Sequence, residues 1–237
     1  MQKNTIREAW EQLDSGGRNM IIREYLSRVV MLLMLFLISG NWSWLGAWIM
    51  LFFALFSIIL IHLIVVKPNP GLYNERGAKH SNTKKWDTIL LPIYGLCGYL
   101  VLIIASLDER FQWSALPAYF IGVGIFFMIL TCVITTTAMY SNAFFSSTVR
   151  IQAERGQTVV DQGPYRIVRH PGYLGGICFY FGCGFLLNSI WVFIPIVLII
   201  LILSIRIRLE ENTLQNELPG YKEYMQKVRY RLFPGIW

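Results

Sequence analysis

The sequence predicts an all-α integral membrane protein of about six transmembrane helices, closing on a short C-terminal helical hairpin and a cytoplasmic amphipathic helix. Three observations point there. Hydrophobic residues fill 55% of 237 positions and charged residues only 15%, against about 25% charged in soluble domains. Apolar runs recur that are long enough to cross roughly 30 Å of hydrocarbon at about 1.5 Å per helical residue. The cations, finally, fall almost entirely on one side, in alternate connections and at the run ends beside them.

The runs lie at 24–40, 45–66, 88–106, 115–137, 173–187 and 190–208. In the first, Arg23, Glu24 and Arg28 restrict the uninterrupted apolar core to 29–38, although arginines near an end can reach the headgroups. A half-embedded hairpin arm is the alternative there. Pro92, Pro117 and Pro195 fall mostly near run ends, and bilayer helices tolerate them. The fifth run covers only about 22 Å, and Leu187-Asn188-Ser189 turns it straight into the sixth. Such a pair is expected to be shorter than the bilayer, or tilted and shielded by neighbours. Beyond the sixth, Leu214, Leu218, Tyr221, Tyr224, Met225 and Val228 recur at spacings of three and four. That pattern predicts an interfacial helix interrupted at Pro219-Gly220. The chain divides into a four-span region, 1–137, and a C-terminal core, 138–237, that carries the motifs below.

Lys and Arg fix the expected orientation. Five precede the first run (Lys3, Arg7, Arg18, Arg23, Arg28) and five occupy the 67–87 connection; four lie in 138–172 and six follow from Arg206 onward. Only Arg110 falls on the other side, so 20 of the 21 share one face. Positive-inside logic puts both termini in the cytoplasm, and the compact length suggests a prokaryotic plasma membrane. Trp42, Trp44, Trp48, Trp86, Trp113 and Trp191 lie near run ends, as interfacial belts do. The net charge of +7 therefore calls for inner-leaflet anionic lipids as partners and for no nucleic acid. The polar N-terminus does not read as a cleavable signal peptide. Cys97, Cys132, Cys178 and Cys183 fall inside the runs, show no metal or disulfide spacing, and read as small apolar packers.

Chemistry concentrates in the second half. A polar connection of about 35 residues, Tyr140 to Gly172, is long for a compact helical protein. It ends in Arg166 to His170, and Arg206 to Glu211 leaves the hairpin on the same side, so the two clusters must meet in space. Two carboxylates at a membrane boundary are costly unless paired or used to bind something. Arg206 with Glu210 and Arg208 with Glu211 have the spacing to pair along one helix, which would make the cluster a charge lattice and nothing more. Pro171 starts a helix and holds His170 extended just ahead of it, beside free backbone N–H groups that favour an anion. Gly175 and Gly176 leave the first turns bare, for a flat ligand or for another helix.

Two blocks carry a family resemblance. One is Gly163-Pro164-Tyr165-Arg166-Ile167-Val168-Arg169-His170-Pro171-Gly172-Tyr173-Leu174-Gly175; the other is Glu210-Glu211-x-x-Leu214, Gly220-Tyr221-x-x-Tyr224 and Tyr230-Arg231-Leu232-Phe233-Pro234-Gly235. In order and spacing they resemble the membrane isoprenylcysteine carboxyl methyltransferases and the related phospholipid methyltransferases. The resemblance covers roughly 140–237; Val149 to Gly156 and Asn74-Glu75-Arg76-Gly77 also look like bacterial members, whereas the first two runs are generic. It implies an S-adenosylmethionine site facing the cytoplasm. Carried onto this chain, Arg169, His170, Pro171, Tyr173 and Gly175 would line or shape that site, and Glu210 and Glu211 would form its second wall.

The reaction implied is in-line methyl transfer to a lipophilic acceptor, a carboxylate of the isoprenylcysteine type in the main reading. Arg150 and Arg206 are the candidates to orient that carboxylate. The alternative is a phospholipid or another amine or thiol acceptor, for which the sequence shows no dedicated base. Alignment and exclusion of water are the main demands, with the acceptor entering sideways from the bilayer. Three rivals remain: a nicotinamide-dependent sterol reductase, which would be longer; a non-catalytic scaffold, which should have lost its costly Glu210-Glu211 pair; and a transporter, which should show a repeat or midplane charge. The acceptor's identity and the oligomeric state are not legible.

Overall fold

A computed structural model describes residues 5–237, so Lys3 lies outside the described residues. The elements run α1 (Ile6–Glu11), α2 (Ser15–Ser39), α3 (Leu45–Ile61, extended by a π-helical turn His62–Val66), α4 (Pro70–Gly77), α5 (Asp87–Phe111), α6 (Phe120–Ser141), α7 (Pro171–Leu186), α8 (Phe193–Glu217) and α9 (Tyr221–Lys227). Two 3₁₀ turns, Ala153–Arg155 and Gly163–Arg166, punctuate the long connection before α7.

The expectation of about six transmembrane helices is corrected. Among the described residues, three helices are long and apolar enough to cross a membrane: Leu45–Val66, Asp87–Phe111 and Phe120–Ser141. The other three apolar runs fall short for identifiable reasons. In α2 the stretch free of charge is 29–39, about 16 Å at helical rise. In α8 it ends at Ile205, before Arg206, after about 20 Å. The third, α7, has 16 residues. A full crossing needs about 20 apolar residues.

All six helices nevertheless share one core. Leu35 and Phe36 from α2, Met50 from α3, Val101 from α5, Met128 from α6, Cys183 from α7 and Ile199 and Leu203 from α8 are buried together. Outward, Leu37, Phe52, Leu96, Phe126, Val133, Ile194 and Leu201 stay exposed, an apolar exterior of the kind that faces lipid rather than water. The most extensive helix pair is α6 with α7. Gly175 makes that approach possible: a Cβ there would lie 2.4 Å from Thr135 Oγ1, and its carbonyl accepts from Thr131 Oγ1 (3.2 Å).

The bundle has two unlike polar ends. At one, Asp108 at the foot of α5 accepts from the Ser114 backbone (2.7 Å), the Ser114 hydroxyl (2.5 Å) and Ser189. There the α7–α8 turn passes through Asn188, whose positive φ of 56° suits asparagine and whose side chain accepts from Leu116 N (2.7 Å). Arg110 belongs to this end and donates to Ile38 O (3.0 Å). The other end gathers α4, the 142–170 connection, the second half of α8 and α9. The amphipathic helix expected beyond the sixth run is present as α9, with its break at Pro219-Gly220, but its apolar face is not open to a bilayer surface. Leu218, Tyr221, Tyr224 and Val228 are buried against Ile151, Val159, Leu214 and Met225, so the apolar face of α9 packs on the long connection and is covered by protein instead of lipid.

Candidate active site

At the cation-rich end, α8 rises out of the core at Arg206 and carries Glu210 and Glu211 one turn further. The 142–170 connection folds over this turn, and the chain after α9 returns beside it: Arg169 N donates to Tyr230 O (2.9 Å) and His170 N to Arg231 O (3.0 Å). Between these segments lies a cavity of about 330 Å³, within the roughly 300–1,000 Å³ range of small-molecule sites.

The two adjacent glutamates face different ways. Glu211 does not line the cavity; it is sunk behind it and almost fully buried. Arg169 Nε donates to Oε1 (2.6 Å), His170 Nε2 stands 3.3 Å from the same oxygen, and Arg231 Nε donates to Oε2 (2.7 Å). Burial pushes this carboxyl up, but the bonds from His170, Arg169 and Arg231 prevail and hold it down to about 2. Arg169 also donates to Val228 O (2.7 Å) and Arg229 O (2.8 Å), so Glu211 and Arg169 together pin the returning chain. Glu210 is on the cavity wall, where its Oε2 accepts from the Tyr173 hydroxyl (2.5 Å).

The helix pairs open to Arg206 and Arg208 in sequence are not the ones formed. Arg206 is buried and reaches across to α5, with Nε to Asp87 Oδ1 (2.7 Å), Nη2 to Asp87 Oδ2 (3.2 Å) and Nη2 to Ser147 O (2.7 Å). Its guanidinium also lies 5.4 Å from the centre of the Tyr173 ring, a cation–π contact. Arg150 donates to Glu154 Oε1 (2.7 Å) and to Glu75. Both arginines touch the cavity, and both are already neutralised by carboxylates.

Of the residues singled out from sequence, Arg150, Arg169, His170, Pro171, Tyr173, Arg206 and Glu210 line the cavity, whereas Gly175 and Glu211 do not. Gly175 faces α6, and Glu211 faces the cations behind the wall. The structure adds Tyr165, Tyr221, Tyr224, Phe144, Phe145, Tyr94 and Arg76 to the lining. Tyr224 is locked by donating to Tyr165 O (2.7 Å). The Tyr221 hydroxyl is buried and has no hydrogen-bond partner among the described residues. Burial, with Glu211 and Glu210 nearby, raises it above the ordinary phenol range, so it stays protonated and can donate. Tyr221 and Tyr224 stand in the second sequence block, but their spacing also fits a packing face. Asp87 carried a usable signal: a carboxylate opening an apolar run demands a cationic partner.

Residues 118–219 match the family model described as phospholipid methyltransferase, a stretch shorter than half the chain. It runs from the start of α6 to the end of α8 and so contains His170, Glu210 and Glu211 together. The protein is a membrane-embedded methyltransferase that uses S-adenosylmethionine. No curated protein matches the sequence. The methyltransferase is a multi-pass membrane protein whose acceptor is a lipid or lipophilic molecule; Arg76, Leu91, Tyr94 and Tyr221 of its cavity lie outside the matched stretch.

The cavity's own chemistry fits the cofactor. S-adenosylmethionine carries a cationic amino group, a carboxylate, ribose hydroxyls and a flat adenine. The cavity offers a wall carboxylate, the N-terminus of α7, an orphaned hydroxyl and several aromatic faces.

Proposed function

We propose that this protein methylates the amine of a phospholipid headgroup, with Glu210, Tyr221, His170 and the first turn of α7 holding the cofactor. The observation that carries this reading is the commitment of Arg150 and Arg206 to Glu75, Glu154 and Asp87. Those were the two guanidiniums expected to orient an acceptor carboxylate, and neither is free for it. The match to the phospholipid methyltransferase family supports the same preference.

When bound, S-adenosylmethionine supplies an electrophilic methyl group on a sulfonium that leaves as a neutral thioether. The acceptor nitrogen must therefore arrive unprotonated, stripped of water and in line, and it sheds its remaining extra proton afterwards. The chain's part is alignment and exclusion of water. Glu210 offers a carboxylate to the cofactor's amino group or ribose, and Tyr173 fixes its direction through the 2.5 Å bond. Tyr221 supplies a donor with no competing protein partner. Free N–H groups at the start of α7 suit the cofactor's carboxylate. Arg169, Glu211 and Pro171 act as positioning residues, and Gly175 lets α7 seat against α6. The cation-rich end is the cytoplasmic one in this reading, beside anionic inner-leaflet lipids.

Calorimetric binding of S-adenosylmethionine to detergent-purified protein tests the cofactor site. Tyr221→Phe should weaken binding by about threefold to tenfold, the worth of one hydrogen bond, while leaving thermal stability unchanged or raised. Glu210→Gln should weaken it further. Unchanged affinity in both variants would remove Glu210 and Tyr221 from the cofactor site. Transfer of labelled methyl into a lipid extract then tests the acceptor. The label should survive mild alkali, as an N-methyl group does; release as methanol would mark a methyl ester and return the carboxylate reading.

A further inference from the structure

Among the described residues, one cation on the cavity wall enters no ion pair. Arg76, in the last turn of α4, lines the cavity. Its Nε and Nη1 are buried without a hydrogen-bond partner among the described residues, and its guanidinium lies 5.4 Å from the centre of the Phe145 ring. The neighbouring carboxylates are already engaged. Glu24 accepts from the Tyr73 hydroxyl at 2.9 and 3.0 Å and stands 3.2 Å from His62 Nε2. Glu75 binds Arg150 and lies 3.1 Å from His80. The other wall arginines, Arg150, Arg169 and Arg206, each have a carboxylate. Two guanidinium nitrogens held away from water without a hydrogen-bonded anion are costly; burial lowers the group's hold on its proton, and the charge of nearby Glu24 offsets that only in part.

Its place in the fold indicates which anion is missing. In the chain, α4 joins the end of the apolar Leu45–Val66 helix to the start of Asp87–Phe111, and a segment joining two spanning helices at one end belongs at headgroup level. Basic pockets between membrane helices at this level suit lipid headgroups. Phe145 stands between Arg76 and the start of α7: a Cβ on Gly172 would come within 2.8 Å of the same ring. Phe145 thus separates Arg76 from the first turn of α7, which carries Tyr173 and, through its hydroxyl, Glu210.

We infer that Arg76 anchors the anionic group of the lipid acceptor, a phosphodiester, at the α4 end of the cavity while the reacting headgroup reaches past Phe145 toward Glu210. The inference rests on the phospholipid reading above for the identity of the anion. The guanidinium fork matches two phosphate oxygens as a lysine ammonium cannot.

The test uses the full chain in detergent with S-adenosylhomocysteine bound, so that no turnover occurs. Retention of phosphatidylethanolamine is measured by native mass spectrometry against a long-chain amine lacking phosphate and against an S-farnesylated cysteine. Arg76→Gln should weaken phosphatidylethanolamine binding by about tenfold or more, the worth of a charge-assisted pair. It should leave the phosphate-free amine and S-adenosylhomocysteine unaffected. Arg76→Lys should bind S-adenosylhomocysteine normally and phosphatidylethanolamine with intermediate strength, and it answers the question even if the glutamine variant misfolds.

Equal phosphatidylethanolamine binding by the unmutated, lysine and glutamine chains would overturn the inference. So would parallel loss of the phosphate-free amine, or loss of S-adenosylhomocysteine in the lysine variant, since either marks a structural role. In turnover, a phosphodiester anchor raises KM for phosphatidylethanolamine and spares kcat. A fall in kcat confined to the farnesylated cysteine would place a reacting carboxylate on Arg76 and overturn the phosphodiester assignment. An unmutated chain that binds phosphatidylethanolamine through Arg76 yet methylates no amine would support the anchor and overturn only the amine reading.

Discussion

Glu210 and Glu211 are neighbours in sequence with opposite surroundings, and the difference has a measurable consequence. Glu211 meets Arg169, His170 and Arg231 in a buried cluster that holds its carboxyl at about 2 in place of 4.5. A depressed value means that the ionised form favours the folded state. That stability is fully present above about pH 4.5 and is lost as pH falls toward about 2, and the shift corresponds to something on the order of 3 kcal/mol. Thermal melting of the detergent-solubilised protein should therefore fall once pH drops below about 4.5. Glu211→Gln should melt lower at neutral pH and show a flatter acid limb; identical acid slopes in both proteins would refute this account. At this scale the sequence was informative where residues are contiguous. The 163–175 block and the Glu210-Glu211 pair pointed to the right end of the molecule. It could not say which glutamate faces the cavity, because the partners of Glu211 arrive from 41 and 42 positions before it and 20 after it.

Among elements, the tie between α5 and α8 decides whether the site keeps its shape. Asp87 is fully buried, accepts from Arg206 and from Val149 N (2.8 Å), and so joins α5, α8 and the connection that roofs the cavity. Breaking a buried pair by removing one charge typically costs about 3–5 kcal/mol, because the remaining charge is left uncompensated. Asp87→Asn should lower the melting temperature markedly, and it should weaken cofactor binding because Arg206 supports the ring of Tyr173, which holds Glu210. Replacing both partners, Asp87→Leu with Arg206→Met, should recover much of the stability but not the cofactor affinity. If Asp87→Asn melts like the parent, the tie carries no such energy. Sequence pattern suggested pairs along α8 because helical neighbours are the only partners it displays, whereas Asp87 is 119 residues distant. The overcount of spans has a related origin. Apolar run length registers α2 and α8, yet the charges inside those helices, which serve the polar end of the bundle, leave too little uninterrupted hydrocarbon-facing length.

For the whole molecule, the remaining question is which compartment the cavity faces, and the distribution of cations gives a testable answer. Both described chain ends meet the cation-rich end of the bundle: Asp14 N donates to Asn74 near the start (3.1 Å), and Tyr230 and Arg231 bond Arg169 and His170 near the finish. Arg110 stands at the opposite end beside Ile38. An excess of Lys and Arg at one end orients membrane proteins with that end in the cytoplasm. The four native cysteines are all buried, so single cysteines introduced at exposed positions can be read against a low background. A membrane-impermeant maleimide added to intact cells should label Trp113→Cys, at the Arg110 end, and spare Lys222→Cys on α9. Inverted vesicles should reverse the pattern. Labelling of Lys222→Cys from outside would place the cavity away from the cytosol. It would then also separate the enzyme from the cytosolic pool of S-adenosylmethionine, so one labelling experiment bears on topology and on cofactor supply together.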